Sequence, residues 1–195
     1  MKFTPQILLL VIALLIPTLS PALAAQPEKQ PMNQSLRPGD LAPDFTYVDP
    51  ETSETVSLSS LQGQSVLLVF YPKAFSRGCV RQLGEYKKEI ALFKESNTKI
   101  IAVSNDKQED SDRFREKFEF PFVLIGDSEL EIIEKYDIPL RKWVGKKYAQ
   151  RSIFLIDEKG VIQFINLDYE VKSSKQEIYD QIRKRIYQPL DPRLN

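Results

Sequence analysis

The chain has 195 residues, 42% of them hydrophobic, with 27 Lys and Arg balanced by 27 Asp and Glu. That is enough for one domain with its own core, and it leaves no charge excess suited to nucleic acid or an anionic membrane. There is no histidine and one cysteine, Cys79, which excludes histidine general-base catalysis, Cys-His pairs, imidazole or thiolate metal sites and an intrachain disulfide. No metal and no cofactor is therefore expected.

The N-terminus reads as an export signal. Lys2 supplies a short positive region, 7–16 is an uninterrupted apolar run too short to span a bilayer comfortably, and Ala22, Leu23 and Ala24 form a small-x-small cleavage site. Cleavage after Ala24 removes one charged residue, Lys2, and takes the formal net charge from 0 to −1. The expected mature protein is soluble, with no stable membrane insertion, in a periplasm or an equivalent lumen. Residues 25–38 are polar and proline-rich, a flexible leader; 39–187 is one domain, and 188–195 a C-terminal tail.

Within the domain, 45–48 and 55–58 predict a first hairpin across Asp49, Pro50 and Glu51. Residues 66–71, 100–103 and 122–125 are continuous apolar runs, as in strands buried on both faces. Cys79, Leu83, Tyr86, Ile90 and Phe93 recur at steps of four and three, one face of a helix running to about Lys94. A weaker helix over 112–119 carries Phe114 and Phe118. Ser128 with Glu131 reads as a capping box before Leu130, Ile133 and Tyr136, with Pro139 barring continuation; Ser174 with Glu177 does the same before Ile178, Ile182 and Ile186. Between these two, 153–156 and 161–165 flank a turn at 157–160 as a second hairpin. The class is α/β: a central mixed sheet flanked by helices.

Cys79 follows a buried strand and a loop opened by Pro72, so it falls in or beside the first turn of a helix, where unpaired N–H groups and the helix dipole favour thiolate. Lowering its pKa from ~8.5 to ~6 would raise the thiolate fraction roughly thirtyfold, worth about 2 kcal/mol at most. Efficient catalysis then needs further groups that stabilise charge on a substrate. The small Gly78 would let backbone amides approach a ligand. On the residues alone two readings stay open: a core cysteine on an apolar helix face, or a nucleophile.

The stretch FYPKAFSRGC resembles the peroxidatic motif of peroxiredoxins, Pro-x-x-x-Thr/Ser-x-x-Cys, with Pro72, Ser76 and Cys79 at its three fixed positions. GDLAPDFTYVD at 39–49, LLVFYPKA and RSIFLIDEKGVIQF at 151–164 resemble the family's opening, its strand into the site and its later strand pair. The similarity runs over roughly 37–187 and is nearest to the bacterioferritin comigratory protein and peroxiredoxin Q branch of the AhpC/TSA type. It implies a thioredoxin-like fold and a thiol-dependent peroxidase that reduces hydrogen peroxide or organic hydroperoxides through a sulfenic acid on Cys79. Ser76 would supply the active-site hydroxyl, Pro72 would shield the cysteine, and Arg151 would be the catalytic arginine. From the residues themselves Arg151 is only an arginine at a strand start, and Ser76 equally a helix cap. Lys73, Arg77 and Arg81 read as solvated charges. Trp143 and Tyr148, in RKWVGKKYAQ, read as packing residues of a loop near the site.

Two departures from the family stand out. Serine replaces the usual threonine at 76, and Gly84 stands where many members of this branch carry a resolving cysteine. With no second cysteine the sulfenic acid must meet an external thiol, whether thioredoxin-like, glutaredoxin-like or a small thiol, or a second Cys79, in a monomer or weak homodimer. Two other functions share the expected fold: a disulfide oxidoreductase, whose usual attacking cysteine would be Ser76, and a non-catalytic redox-sensing or binding module.

Overall fold

The computed structural model describes residues 35–187, the side chains of Trp143 and Tyr187 excepted; the expected export signal, residues 25–34 of the leader and the tail at 188–195 lie outside them. The chain enters through a short antiparallel hairpin, β1 (Thr46–Val48) with β2 (Thr55–Ser57). Strand β3 (Ser65–Phe70) follows and is buried at every residue. Helices α1 (Arg77–Lys88) and α2 (Ile90–Glu95) lead to β4 (Thr98–Ser104), then α3 (Gln108–Phe118), β5 (Val123–Gly126) and α4 (Glu131–Lys135). A second hairpin, β6 (Leu140–Trp143) and β7 (Lys146–Ala149), precedes β8 (Ser152–Ile156), β9 (Ile162–Asn166) and α5 (Lys175–Tyr187).

The central sheet has the order β5-β4-β3-β8-β9. Its first three strands are parallel, while β8 runs antiparallel to β3 and β9 antiparallel to β8, so the sheet is mixed, as expected. Alternate side chains of β3 feed two cores, because successive residues of a strand point to opposite faces. Leu67 and Val69 join Cys79, Leu83 and Tyr86 of α1, Phe93, Phe114, Ile178 and Ile182 on one face. Val66, Leu68 and Phe70 join Ile132 and Ile133 of α4, Tyr136 just after it, Tyr47 of β1 and Phe45 just before that strand on the other.

Three expectations need correction. The helix expected to run from Cys79 to Lys94 is broken: α1 stops at Lys88, Glu89 leaves helical geometry, and Ile90 opens α2. Tyr86 and Phe93 still meet edge to face with centroids 6.0 Å apart, so the apolar periodicity was sound although the backbone is interrupted. Ser128 is no capping box for α4, because its hydroxyl goes to Glu129. The orphan N–H groups of Ile132 and Ile133 donate instead to the Asp127 carboxylate, at 3.0 and 2.8 Å. The 140–149 stretch is a hairpin rather than a loop; its turn residues Val144 and Gly145 both have positive φ, as a tight two-residue turn requires.

Helix α1 is held to the sheet chiefly by Cys79, Leu83 and Tyr86, all fully buried. Leu83→Ala, at a position with no solvent exposure, is expected to lower the unfolding free energy by about 2–5 kcal/mol in chemical denaturation. A loss below about 1 kcal/mol would mean that α1 does not depend on this contact.

Candidate active site

Strand β3 delivers the chain to the site, and register decides what it meets there. Phe70 lies opposite Ser152, so the residue before β8, Arg151, starts alongside the exit of β3. Antiparallel pairing thus places two segments, 80 residues apart in sequence, at one end of the sheet.

The loop between β3 and α1 is pinned by the end of β4. The Asp106 carboxylate accepts from the Ala74 N–H at 2.6 Å and from the Ser104 hydroxyl at 2.9 Å. Phe75 turns the chain with φ of +61°, a left-handed conformation costly for a residue with a Cβ. Its ring is held against Phe114, centroids 5.0 Å apart, which offsets part of that strain. The neighbouring Asn105 holds the second hairpin: its side chain donates to the Lys147 carbonyl at 2.9 Å and accepts from the Ala149 N–H at 3.1 Å. Two consecutive residues thereby set both the cysteine loop and the facing hairpin. Neither was picked out from sequence, where they are polar residues after a strand.

Ser76 is the N-cap of α1, its hydroxyl accepting from the Cys79 N–H at 3.4 Å. Cys79 is the third residue of the helix, in the first turn as expected, with no solvent exposure. Tyr71 packs in the same core, where burial pushes its phenol well above the ordinary value, so it stays neutral.

Arg151 comes down onto this helix. A Cβ built on Gly78 would lie 2.6 Å from Arg151 Nη2, so the glycine leaves room for the guanidinium. Arg151 Nη1 donates to Gln82 Oε1 in a short hydrogen bond. Gly78 and Gln82 flank Cys79 on α1, so the arginine spans the helix turn that bears the sulfur. Gln82, buried and uncharged, carried no signal in the sequence beyond its place on the helix.

Pro72, Ser76 and Arg151 line a common open cavity of about 360 Å³ together with Lys73, Arg141, Tyr148, Ala149, Gln150, Asp168 and Tyr169. Cys79 is not in that wall. Tyr148, read as packing, lies in it, with the Lys73 ammonium 5.6 Å from its ring centroid. Arg77 and Arg81 are exposed, as read. Arg141 and Gln150 both bind Asp168, at 3.2 and 3.0 Å, which ties the hairpin to the segment after β9. Among the described residues no cluster of His, Cys, Asp and Glu could hold a metal ion.

The family model of the AhpC/TSA family matches residues 38–165. The chain belongs to the AhpC/TSA family. It is a peroxiredoxin of the Bcp and peroxiredoxin Q kind, a thiol-dependent peroxidase. Peroxiredoxin Bcp of Bacillus subtilis is 38% identical over 125 residues, 63% of this chain and 79% of that protein. Peroxiredoxin Bcp of Escherichia coli is 34% identical over 141 residues, 71% of this chain and 90% of that one. Among solved structures, a PrxQ variant from Xylella fastidiosa superposes with a TM-score of 0.69 at 23% identity, covering 77% of this chain and 97% of its own. Peroxidoxin BcpB from Mycobacterium tuberculosis gives 0.66 at 22%, covering 76% and 97%. The fold of this peroxiredoxin is thus thioredoxin-like.

The close approach at Gly78 is directly testable. Gly78→Ala must push aside the far end of a flexible arginine, not backbone, so the peroxiredoxin should still fold. Oxidation of Cys79 by hydrogen peroxide, followed by quenched mass spectrometry, should slow by about tenfold or more because the guanidinium is displaced. An unchanged rate would show that the position of Arg151 does not matter.

Proposed function

We propose that this peroxiredoxin works through one cysteine and an external thiol. The Cys79 thiolate attacks the terminal oxygen of a hydroperoxide, hydrogen peroxide or organic; the S–O bond forms as the O–O bond breaks. The leaving hydroxide or alkoxide takes up a proton, and the cysteine is left as a sulfenic acid. A thiolate from a thioredoxin-like or glutaredoxin-like protein, or a small thiol, attacks that sulfur and expels the oxygen as water. A second thiol then breaks the mixed disulfide and returns Cys79.

The observation that carries this reading is Arg151 lying across the first turn of α1, against Gly78 and bonded to Gln82, with Cys79 between them. A guanidinium there balances the thiolate and offers a rigid fork of donors to the peroxide oxygens. Ser76, in the cavity wall and bonded to the Cys79 N–H, orients the peroxide. Pro72 lines the cavity beside it and limits water around the sulfur. These contributions act on the transition state, where a lowered thiol pKa gives too little.

The export reading is part of the proposal. Residues 1–24 have the layout of a cleavable signal, so we place the working protein in a periplasm or comparable lumen. There a lone cysteine cannot staple the fold.

Oxidation of the purified, reduced protein is the test. Arg151→Ala is expected to slow Cys79 oxidation by about a hundredfold or more, and Cys79→Ser to abolish peroxide consumption. Oxidation of the parent no faster than a free thiol, for hydrogen peroxide and an organic hydroperoxide alike, would overturn the reading.

Resolution adds a second expectation. The sulfur is fully buried, so an external thiol reaches it only when the start of α1 opens. Gly84 lies within that helix, and a Cβ there would meet nothing within 4 Å. Alanine therefore fits and strengthens the helix by about 1 kcal/mol. Gly84→Ala should slow reduction of the sulfenic acid about fivefold, and oxidation by hydrogen peroxide, a far smaller molecule that needs less opening, by less than that. Equal recycling in both proteins would mean that reduction needs no opening of α1.

A further inference from the structure

Behind Arg151 the structure holds a set of buried polar groups that the reaction as written does not use. Gln82, Tyr86, Tyr169 and Tyr179 are 1%, 0%, 3% and 4% exposed, all inside or beside the core of α1. Gln82 Oε1 accepts a hydrogen bond from Arg151 Nη1, which leaves its Nε2 turned the other way. That nitrogen and the Tyr86 hydroxyl are shut off from solvent, and neither is in a hydrogen bond of ordinary geometry with any described atom. Gln82 and Tyr86 stand at i and i+4 on α1, one above the other on a single helix face, and the Tyr86 and Tyr169 phenols influence one another's ionisation. Tyr169 also lines the cavity with Arg151, and its N–H donates to the Arg151 carbonyl at 3.0 Å.

A hydroxyl buried without a good partner costs about 1–3 kcal/mol, so phenylalanine at 86 would pack the same volume at lower cost. What the hydroxyl supplies is direction. An amide side chain is nearly symmetrical in shape, and either end could face the guanidinium; only the oxygen end attracts it. A small rotation of either side chain would let the Tyr86 oxygen accept from the amide nitrogen, one helix turn along α1.

We propose that Tyr86 is a positioning residue of the peroxidase site: its hydroxyl sets the Gln82 amide so that Oε1 faces Arg151. The inference rests on Arg151 acting in the reaction. It gives the buried side chains of Gln82 and Tyr86 a role in the rate.

The test compares Cys79 oxidation by hydrogen peroxide in the purified full chain and its variants. Tyr86→Phe should slow oxidation about tenfold, the rate equivalent of one hydrogen bond, with the melting temperature within about 3 °C of the parent. Gln82→Glu replaces the amide by a carboxylate whose two oxygens are equivalent, so no orienting group is needed. Whatever rate Gln82→Glu itself shows, adding Tyr86→Phe should change it less than about twofold.

Arg151→Ala separates the two levels of the argument. If it slows oxidation strongly while Tyr86→Phe stays within twofold of the parent, the role of Tyr86 is overturned and the arginine stands. Equal slowing by Tyr86→Phe in the parent and Gln82→Glu backgrounds also overturns it, because that marks a general disturbance. Indifference to Arg151→Ala removes the reading on which the proposal is built.

Discussion

The pairing of β8 antiparallel to β3, with Ser152 opposite Phe70, sets where the Arg151 guanidinium can be. Slipping that pairing by one residue would exchange the two faces of β8 and put its core residues into the wrong layer. The register is therefore fixed by Ile153, Phe154, Leu155 and Ile156, all buried, and the arginine inherits it. Much of the site follows from this placement. Position 78 must be small because the guanidinium lies against it, and position 82 must be an acceptor because a half-buried cation needs one. The same helix turn has the capping serine in front and the sulfur inside.

A second support comes from the end of β4, where Asn105 and Asp106 face different ways. One takes backbone groups of the hairpin and the other takes the loop leading to α1. Ligands in sheets with parallel strands collect beyond the carboxyl ends of those strands, and this pair shows why. Loops leaving neighbouring strands can be cross-linked by short polar side chains without disturbing the sheet. The strained turn at Phe75 is tolerable because both its flanks are held, by Asp106 on one side and by the aromatic contact with Phe114 on the other.

Much of this architecture was legible in the sequence because it rests on repetition. Continuous apolar runs marked β3, β4 and β5, and steps of three and four marked the buried face of α1 and α2. Cys79 in a first turn after a buried strand was readable for the same reason. What escaped were features decided by one contact. The break at Glu89 leaves the hydrophobic spacing intact, so periodicity could not see it. Asp127 took the capping role assigned to Ser128 because a carboxylate one position earlier reaches two N–H groups at once. The second hairpin was hidden because its strands are charged and its turn has valine beside the glycine. Gln82, Asp106 and Tyr148 work through partners many residues away, and no local pattern announces such pairs. Arg151 needed the family resemblance, since an arginine before a strand says nothing by itself.

The complete burial of Cys79 has a consequence for covalent pairing between molecules. A disulfide joining two copies through this cysteine requires both sulfurs to be out at once, so its formation varies with the square of the open fraction. A mixed disulfide with a free thiol needs one opening and varies with the first power. When only a small fraction of molecules is open, the square is far smaller than the fraction itself. The fold thus suppresses its own cross-linking more strongly than it slows its repair.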